Sequence, residues 1–200
     1  MYNMIFAIRN DKGFTIVEVL IASTVIGILL ALSIPNLVKA RISSNEACAK
    51  KSMQTLRDAE AIYFEQDADN NGVRDYTSQI GDLSTTGTLR CPLISGSGCM
   101  EEGALIDLSF QSALAIGNTA NCADPKAGYC MQFSEDVDLN NTTILQVDFG
   151  WEASMTSAYK TGRRDFAVYA DKTTKCIFSQ KTTGNPGIFE ADRTSPGCDN

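Results

Sequence analysis

The sequence predicts an α+β protein in which one long N-terminal α-helix packs on a four-stranded antiparallel β-sheet. Two observations predict the helix: residues 14–38 form an apolar run with one charged member, Glu18, and an amphipathic segment then continues to about residue 66. The third observation predicts the sheet, because short runs rich in β-branched and aromatic residues, separated by turn signals, recur over residues 129–180.

The apolar run is long enough to span a bilayer as a helix. Arg9 and Lys12 precede it, which places the N-terminal tail in the cytoplasm and the bulk of the chain on the far side of the membrane. A charge within a membrane segment costs about 2.5–3.5 kcal/mol on insertion scales, so we expect Glu18 to meet a partner there. Cleavage after Gly13, the small residue before the run, would leave the helix attached with Phe14 as its N-terminus.

These residues carry a resemblance to a known family. The sequence Lys-Gly-Phe-Thr-Ile-Val-Glu at residues 12–18, followed by Gly27 and by Ile-Pro-Asn at residues 34–36, resembles the leader and N-terminal helix of type IV pilins and type II secretion pseudopilins. The resemblance implies that a prepilin peptidase cuts between Gly13 and Phe14 and methylates the new N-terminus. The alternative is a plain signal-anchor helix.

The resemblance also implies roles for four residues in assembly. Glu18 would pair with the N-terminal ammonium of Phe14 in a neighbouring subunit, and we expect it to stay unpaired until that subunit arrives. The segment between Gly27 and Pro35 would melt in the filament. The alternative is a simple kink, since Pro35 removes one backbone hydrogen bond and Gly27 has low helix propensity.

The second half of the helix, residues 41–66, has an apolar face at steps of three, four or seven residues and charged side chains elsewhere. We therefore expect it to lie on a globular head. The residues of this face are Ile42, Ala49, Met53, Leu56 and Tyr63.

An Asp- and Asn-rich segment follows the helix, in which Asp67, Asp69, Asn71 and Asp75 alternate as in the first half of a calcium loop. Ser78 stands where such a loop has its closing bidentate glutamate. The alternative that we favour is a turn that ends the helix. No other cofactor is expected.

The chain has seven cysteines, which in a protein sent across a membrane are better interpreted as disulfides than as reduced thiols. Spacing permits two small loops, Cys91 with Cys99 and Cys122 with Cys130, although spacing does not prove connectivity. By resemblance to type IV pilins, Cys176 and Cys198 could close a C-terminal loop. Cys48 is then left over, either as a buried thiol or because this pairing is wrong.

The predicted strands occupy the last third of the chain. Residues 143–151 alternate cleanly between apolar and polar, and residues 171–174 form the turn of a hairpin. A second, weaker resemblance to pilins lies at residues 162–168. The four predicted strands are residues 129–134, 143–151, 165–170 and 175–179.

The predicted organisation has three parts: a leader (residues 1–13), a transmembrane or filament-core helix (14–40) and a pilin-like head (41–200). Within the head, the amphipathic half-helix is followed by a connecting region (67–128), the sheet (129–180) and a C-terminal loop (181–200).

Composition gives little support for catalysis or nucleic-acid binding. The chain has no histidine, and it shows no nucleophile elbow, P-loop or dinucleotide-binding fingerprint, so we do not expect an enzyme. The formal net charge of -7 argues against general nucleic-acid binding. Lys160, Arg163 and Arg164 could contact DNA or an anionic surface, but such a cluster is more often a solvated turn.

Three functions follow. The first, a pilin, is stored in the inner membrane with a cytoplasmic N-terminus. It is then cleaved by prepilin peptidase and polymerised by an inner-membrane assembly platform into an extracellular filament for adhesion, twitching or DNA uptake. The second is a pseudopilin of a periplasmic type II secretion filament. The third is a membrane-anchored periplasmic enzyme or binding protein, which would show neither cleavage at Gly13 nor polymerisation.

Overall fold

A computed structural model describes residues 13–67, 72–84, 104–186 and 188–198. The described part contains four helices and four strands. In chain order they are α1 (Ile16–Gln66), α2 (Ile80–Ser84), α3 (Ser109–Ser112), β1 (Tyr129–Phe133), α4 (Thr142–Leu145), β2 (Gly150–Met155), β3 (Arg164–Tyr169) and β4 (Thr174–Phe178). This is the predicted α+β arrangement, with one long N-terminal helix and a four-stranded antiparallel sheet.

The chain divides into two compact units, with the boundary between Lys39 and Ala40. In the first unit, α1 includes a stretch that is long and apolar enough to cross a membrane, and all of its side chains are exposed. In the second unit, α1 buries its apolar face, as predicted. Every residue predicted for that face is buried, with at most 4% of its surface accessible: Ile42, Ala49, Met53, Leu56 and Tyr63.

The sheet is a meander in the order β1-β2-β3-β4 with antiparallel neighbours. Both of its edges are covered. On the β1 edge, the Met131 carbonyl accepts from the Ala115 N–H (2.8 Å), and on the β4 edge the Cys176 N–H donates to the Pro196 carbonyl (2.9 Å). Covered edges do not template pairing with other chains.

The main core lies between the sheet and the second-unit part of α1. Alternate strand residues point into it, as the two-residue period of a strand requires. From the strands these include Tyr129, Met131, Trp151, Ala153, Met155, Phe166 and Val168. A smaller cluster covers the opposite face of the sheet and includes Val137, Leu145, Ala167, Tyr169 and Ala191.

One predicted strand is wrong. Residues 143–151 do not form a single strand, because the side chain of Asn141 accepts a hydrogen bond from the Thr143 N–H (3.1 Å) and starts the helical turn α4. Val147, which lies on the apolar side of the predicted alternation, is 71% exposed. Strand β2 begins only at Gly150, where an added Cβ would lie 2.8 Å from the Tyr169 ring. The other three strands agree with prediction to within one residue at each end.

The predicted hairpin between β3 and β4 is present. Its turn places Lys172 at a positive φ of 64°, and the Lys172 N–H donates to the Tyr169 carbonyl (3.1 Å). The Asp171 carboxylate stabilises the turn by accepting from the Thr173 N–H (3.0 Å) and pairing with Lys175 (3.0 Å).

Candidate assembly site on the N-terminal helix

Helix α1 begins with a reciprocal capping box formed by Thr15 and Glu18. The Thr15 hydroxyl accepts from the Glu18 N–H (3.2 Å), while Glu18 Oε2 accepts from the Thr15 N–H (2.9 Å) and from its hydroxyl (2.8 Å). Such a box satisfies two backbone donors that a helix start leaves unpaired. The expectation that Glu18 is unpaired in an isolated chain is therefore wrong. Its Oε1 takes part in none of these bonds.

The polar side chains within the apolar run bond to the backbone of their own helix. The Ser23 hydroxyl donates to the Leu20 carbonyl (2.9 Å), the Thr24 hydroxyl to the Ile21 carbonyl (2.8 Å) and the Ser33 hydroxyl to the Leu29 carbonyl (2.8 Å). A hydrocarbon environment offers no water to satisfy these groups, so internal bonding suits them to it. The run therefore presents an almost wholly apolar surface, from Phe14, which is 87% exposed, to Val38, which is 43% exposed.

The predicted melting segment is helical in the single chain, since α1 runs without interruption through Gly27 and Pro35. An added Cβ at Gly27 would meet nothing within 4 Å, so this glycine is not required by packing within the chain. Near Pro35, the Asn36 amide donates to the Leu32 carbonyl (3.3 Å). Melting in a filament stays a prediction.

A buried glutamate ties α1 to the head. Glu60 is fully buried, and its Oε1 accepts from Trp151 Nε1 (2.8 Å) while its Oε2 accepts from the Thr77 N–H (3.1 Å). Burial raises the pKa of Glu60 to about 8. The two hydrogen bonds lower the pKa and so oppose this rise, whereas the charge of Asp82 adds to it. One side chain thus joins α1, β2 and the segment that leads into α2.

Polar clusters hold the C-terminal segment to the outer face of the sheet. Lys181 and Asp165 form a buried ion pair (2.7 Å), and Asp165 also accepts from the Ser154 hydroxyl (3.0 Å) and the Glu190 N–H (3.1 Å). Burial raises the pKa of the Asp165 carboxyl, opposed by the Lys181 charge. Farther along, Arg193 stacks on the Tyr169 ring and bonds to Asp148.

The structure brings two of the candidate cysteine pairs together as disulfides, Cys122–Cys130 and Cys176–Cys198. Cys91 and Cys99 lie outside the described residues. Cys48 is an exposed free thiol, so the expectation of a buried thiol is wrong. It lies between Ala47 and Ala49 on α1, and only Ala49 of these three residues turns into the core.

The candidate calcium ligands are only partly described. Asp67 has a positive φ of 46° just after α1, and its Oδ2 accepts from the Gly72 N–H (3.0 Å), as in a helix-ending turn. Its Oδ1 is buried without a hydrogen-bond partner. Asp69 and Asn71 lie outside the described residues, and within those ranges no group of three or more His, Cys, Asp or Glu side chains is arranged to hold a metal.

The N-terminal segment matches a family model. Residues 8–34 match the prokaryotic N-terminal methylation motif. This segment contains the capping box, the leader glycine and most of the apolar run, so the chain carries a prepilin leader.

Relatives extend the match beyond the motif. The chain is 32% identical over 72 residues to the type IV major pilin protein PilA of Myxococcus xanthus, covering 36% of this chain and 31% of PilA. It is 36% identical over 86 residues to PilA4, a type IV wide pilus major component of Thermus thermophilus, covering 42% of this chain and 60% of PilA4. It is 33% identical over 92 residues to the competence protein ComGC of Bacillus subtilis, covering 44% of this chain and 85% of ComGC.

The chain belongs to the type IV pilin and pseudopilin family. The alignments cover only about a third to three fifths of the two pilins and less than half of this chain. No solved structure matches. These alignments leave more than half of this chain unmatched, so most of the head has to be interpreted from its own residues.

Sequence reasoning missed two residues of this site. Thr15 had a signal, because a threonine three positions before a glutamate at the start of an apolar run is the capping-box pattern. Glu60 had none, because a single carboxylate on an amphipathic helix is indistinguishable from its solvated neighbours until Trp151 and Thr77 are placed around it.

Proposed function

We propose that this protein is a filament subunit, stored in the inner membrane and polymerised through α1 after prepilin peptidase cleaves between Gly13 and Phe14. The observation that carries the proposal is the apolar run itself, which follows a prepilin leader and is exposed at every side chain over residues 14–40. Such a surface has to be covered by lipid or by other helices. Packing the same run from many subunits replaces lipid when an assembly platform extracts the helix.

Glu18 gives that packing its register. Its Oε2 is held by Thr15, which fixes the carboxylate at the first turn, and Oε1 takes no part in these bonds and can accept from a second donor. The ammonium of Phe14 from a neighbouring subunit supplies that donor. In a dry helix core this pair is stronger than in water, and a misplaced subunit would leave a buried charge unpaired. Neighbouring helices are therefore parallel and offset along their axes.

The test substitutes Glu18 in cells that display the filament. Glu18→Ala leaves the protein in the membrane and strongly reduces sheared surface filaments, because the subunit loses its register contact. Ser23→Ala, a polar residue of the same run that bonds only to its own helix, is the matched control and keeps the filament yield. Normal filament yield from Glu18→Ala would refute the register role.

The surface filament is the preferred assembly. PilA and PilA4 are pilus components, and the head carries two disulfides in its described part. A periplasmic pseudopilus of a secretion or competence system is the second candidate, supported by the similarity to ComGC. Electron microscopy of sheared surface material separates them, because long filaments containing this subunit support the pilus and their absence supports the pseudopilus.

A further inference from the structure

The strand register gives the head two distinct ends. Residues Tyr129, Met155, Arg164 and Phe178 are aligned across the sheet at one end, and Phe133, Gly150, Tyr169 and Thr174 lie at the other. The turn from β2 to β3 lies at the first end. The segment that leaves β1 and the β3–β4 turn lie at the second end.

The first end is basic. Lys160 and Arg163 are exposed in the turn between β2 and β3, and Arg164 lies over the exposed ring of Phe178 (4.4 Å). Glu46 and Glu190 lie nearby and keep their charge while they accept backbone N–H bonds from Arg163 (2.8 Å) and Gln180 (2.9 Å). Two further carboxylates are paired with cations, Asp107 with Lys126 and Asp165 with Lys181. Outside these pairs, three cations face the two carboxylates, so the basic end has a small positive charge.

The second end is acidic. Carboxylates outnumber cations there, and three of the four cations are already paired, Lys175 with Asp171, Arg193 with Asp148 and Arg57 with Asp58. Glu135 and Asp138 are exposed and form no ion pair within the described residues. The carboxylates of this acidic end are Asp58, Glu135, Asp136, Asp138, Asp148, Asp171 and Asp192, and its cations are Arg57, Lys172, Lys175 and Arg193.

Contacts with α1 orient these ends along the helix axis. At the basic end, the Asn45 amide donates to the Thr161 carbonyl (2.9 Å). At the acidic end, Arg57 Nη1 donates to the Lys172 carbonyl (3.0 Å). The basic end thus faces the N-terminal direction of α1 and the acidic end the C-terminal direction, with about 18 Å of helix between Asn45 and Arg57 at 1.5 Å per residue.

We propose that the basic end of each head docks on the acidic end of a second copy of this chain. Parallel copies displaced along the helix axis bring unlike ends together, and opposite charge makes that contact attractive. The contact is heterologous and continues without closing, as a filament requires. Antiparallel copies would bring like ends together and repel, so the charges also select against the wrong orientation. This inference rests on the proposed filament assembly.

The test is a charge swap in the full chain, scored by filament yield. Lys160→Glu with Arg163→Glu makes both ends acidic, and Glu135→Lys with Asp138→Lys makes both ends basic. Each pair lowers the filament yield roughly tenfold, because like charges meet at every contact. Combining the four substitutions restores opposite charges and recovers most of the yield. The control is Lys51→Glu with Arg74→Glu, which changes the net charge equally but involves exposed residues away from the basic end.

The outcomes are distinguishable provided that thermal unfolding shows each variant to be folded. Wild-type yield from both pairs, or no recovery in the combined variant, overturns the docking contact and leaves the proposed function standing. Failure of the wild-type protein to form any filament, on the surface or in the periplasm, overturns both. If Lys160→Glu with Arg163→Glu abolishes DNA binding in a gel-shift assay and leaves the filament yield unchanged, the basic end is a nucleic-acid surface and the proposal is wrong.

Discussion

Glu60 is the residue at which the stability of the head depends most directly on protonation. It is fully buried between Trp151 and Thr77, and burial raises its pKa from 4.5 to about 8. Each unit of difference between folded and unfolded pKa is worth about 1.4 kcal/mol. Because the folded state holds the proton more tightly, the stabilising contribution is complete below pH 4.5 and is lost progressively as the pH rises to about 8.

This predicts a pH dependence that one substitution removes. The thermal midpoint of the full chain in detergent falls between pH 5 and pH 8, and Glu60→Gln flattens the fall because the amide does not titrate. Glu60→Gln also lowers the midpoint at pH 5. The amide NH2 group cannot accept a hydrogen bond, so either Trp151 Nε1 or the Thr77 N–H loses its acceptor. Glu65→Gln, at an exposed position of the same helix, keeps the wild-type slope. An equal slope in Glu60→Gln would contradict the assignment.

Asp67 carries the second prediction at this scale. Its Oδ2 is used by the Gly72 N–H in a turn, and the sequence lacks the closing glutamate of a calcium loop. The turn interpretation predicts that millimolar calcium leaves the thermal midpoint of the full chain unchanged, with magnesium as the control. A calcium-specific rise that is lost in Asp69→Ala would establish a metal site instead.

Helix α1 has two surfaces for two environments, and the sequence predicted both because their patterns differ. The run over residues 14–38 has no polar face, whereas the later part has an apolar stripe, which is buried. The strand predicted over residues 143–151 failed because alternation alone did not show that Asn141 would cap a helical turn. Local hydrogen bonding overrode the pattern there.

The melting of α1 is a prediction at the element scale. A proline in a helix interior costs about 3 kcal/mol and a glycine about 1 kcal/mol relative to alanine, so the segment from Gly27 to Pro35 is the weakest part of a helix that is intact in the single chain. Cryo-electron microscopy of the filament should show this segment extended. The variant with Gly27→Ala and Pro35→Ala should stay helical there. A kinked but fully hydrogen-bonded wild-type helix would contradict the prediction.

In the whole molecule, the features that the sequence predicted come from local patterns, and the features that it did not predict come from contacts between distant segments. The helix and three of the four strands follow from composition and period, which act locally, and the leader follows from the resemblance to pilins at residues 12–18. The placement of Glu60, the exposure of Cys48 and the opposed charges of the two ends depend on which strands become neighbours, and only the fold sets that.

The central claim is that this chain becomes a filament subunit by cleavage after Gly13. The most direct test is the intact mass of the subunit recovered from sheared surface filaments, with Gly13→Leu as the variant that should remain uncleaved in the membrane. The account predicts the mass of residues 14–200 with one added methyl group. Filaments containing the uncleaved chain, or a subunit cut at another residue, would contradict it.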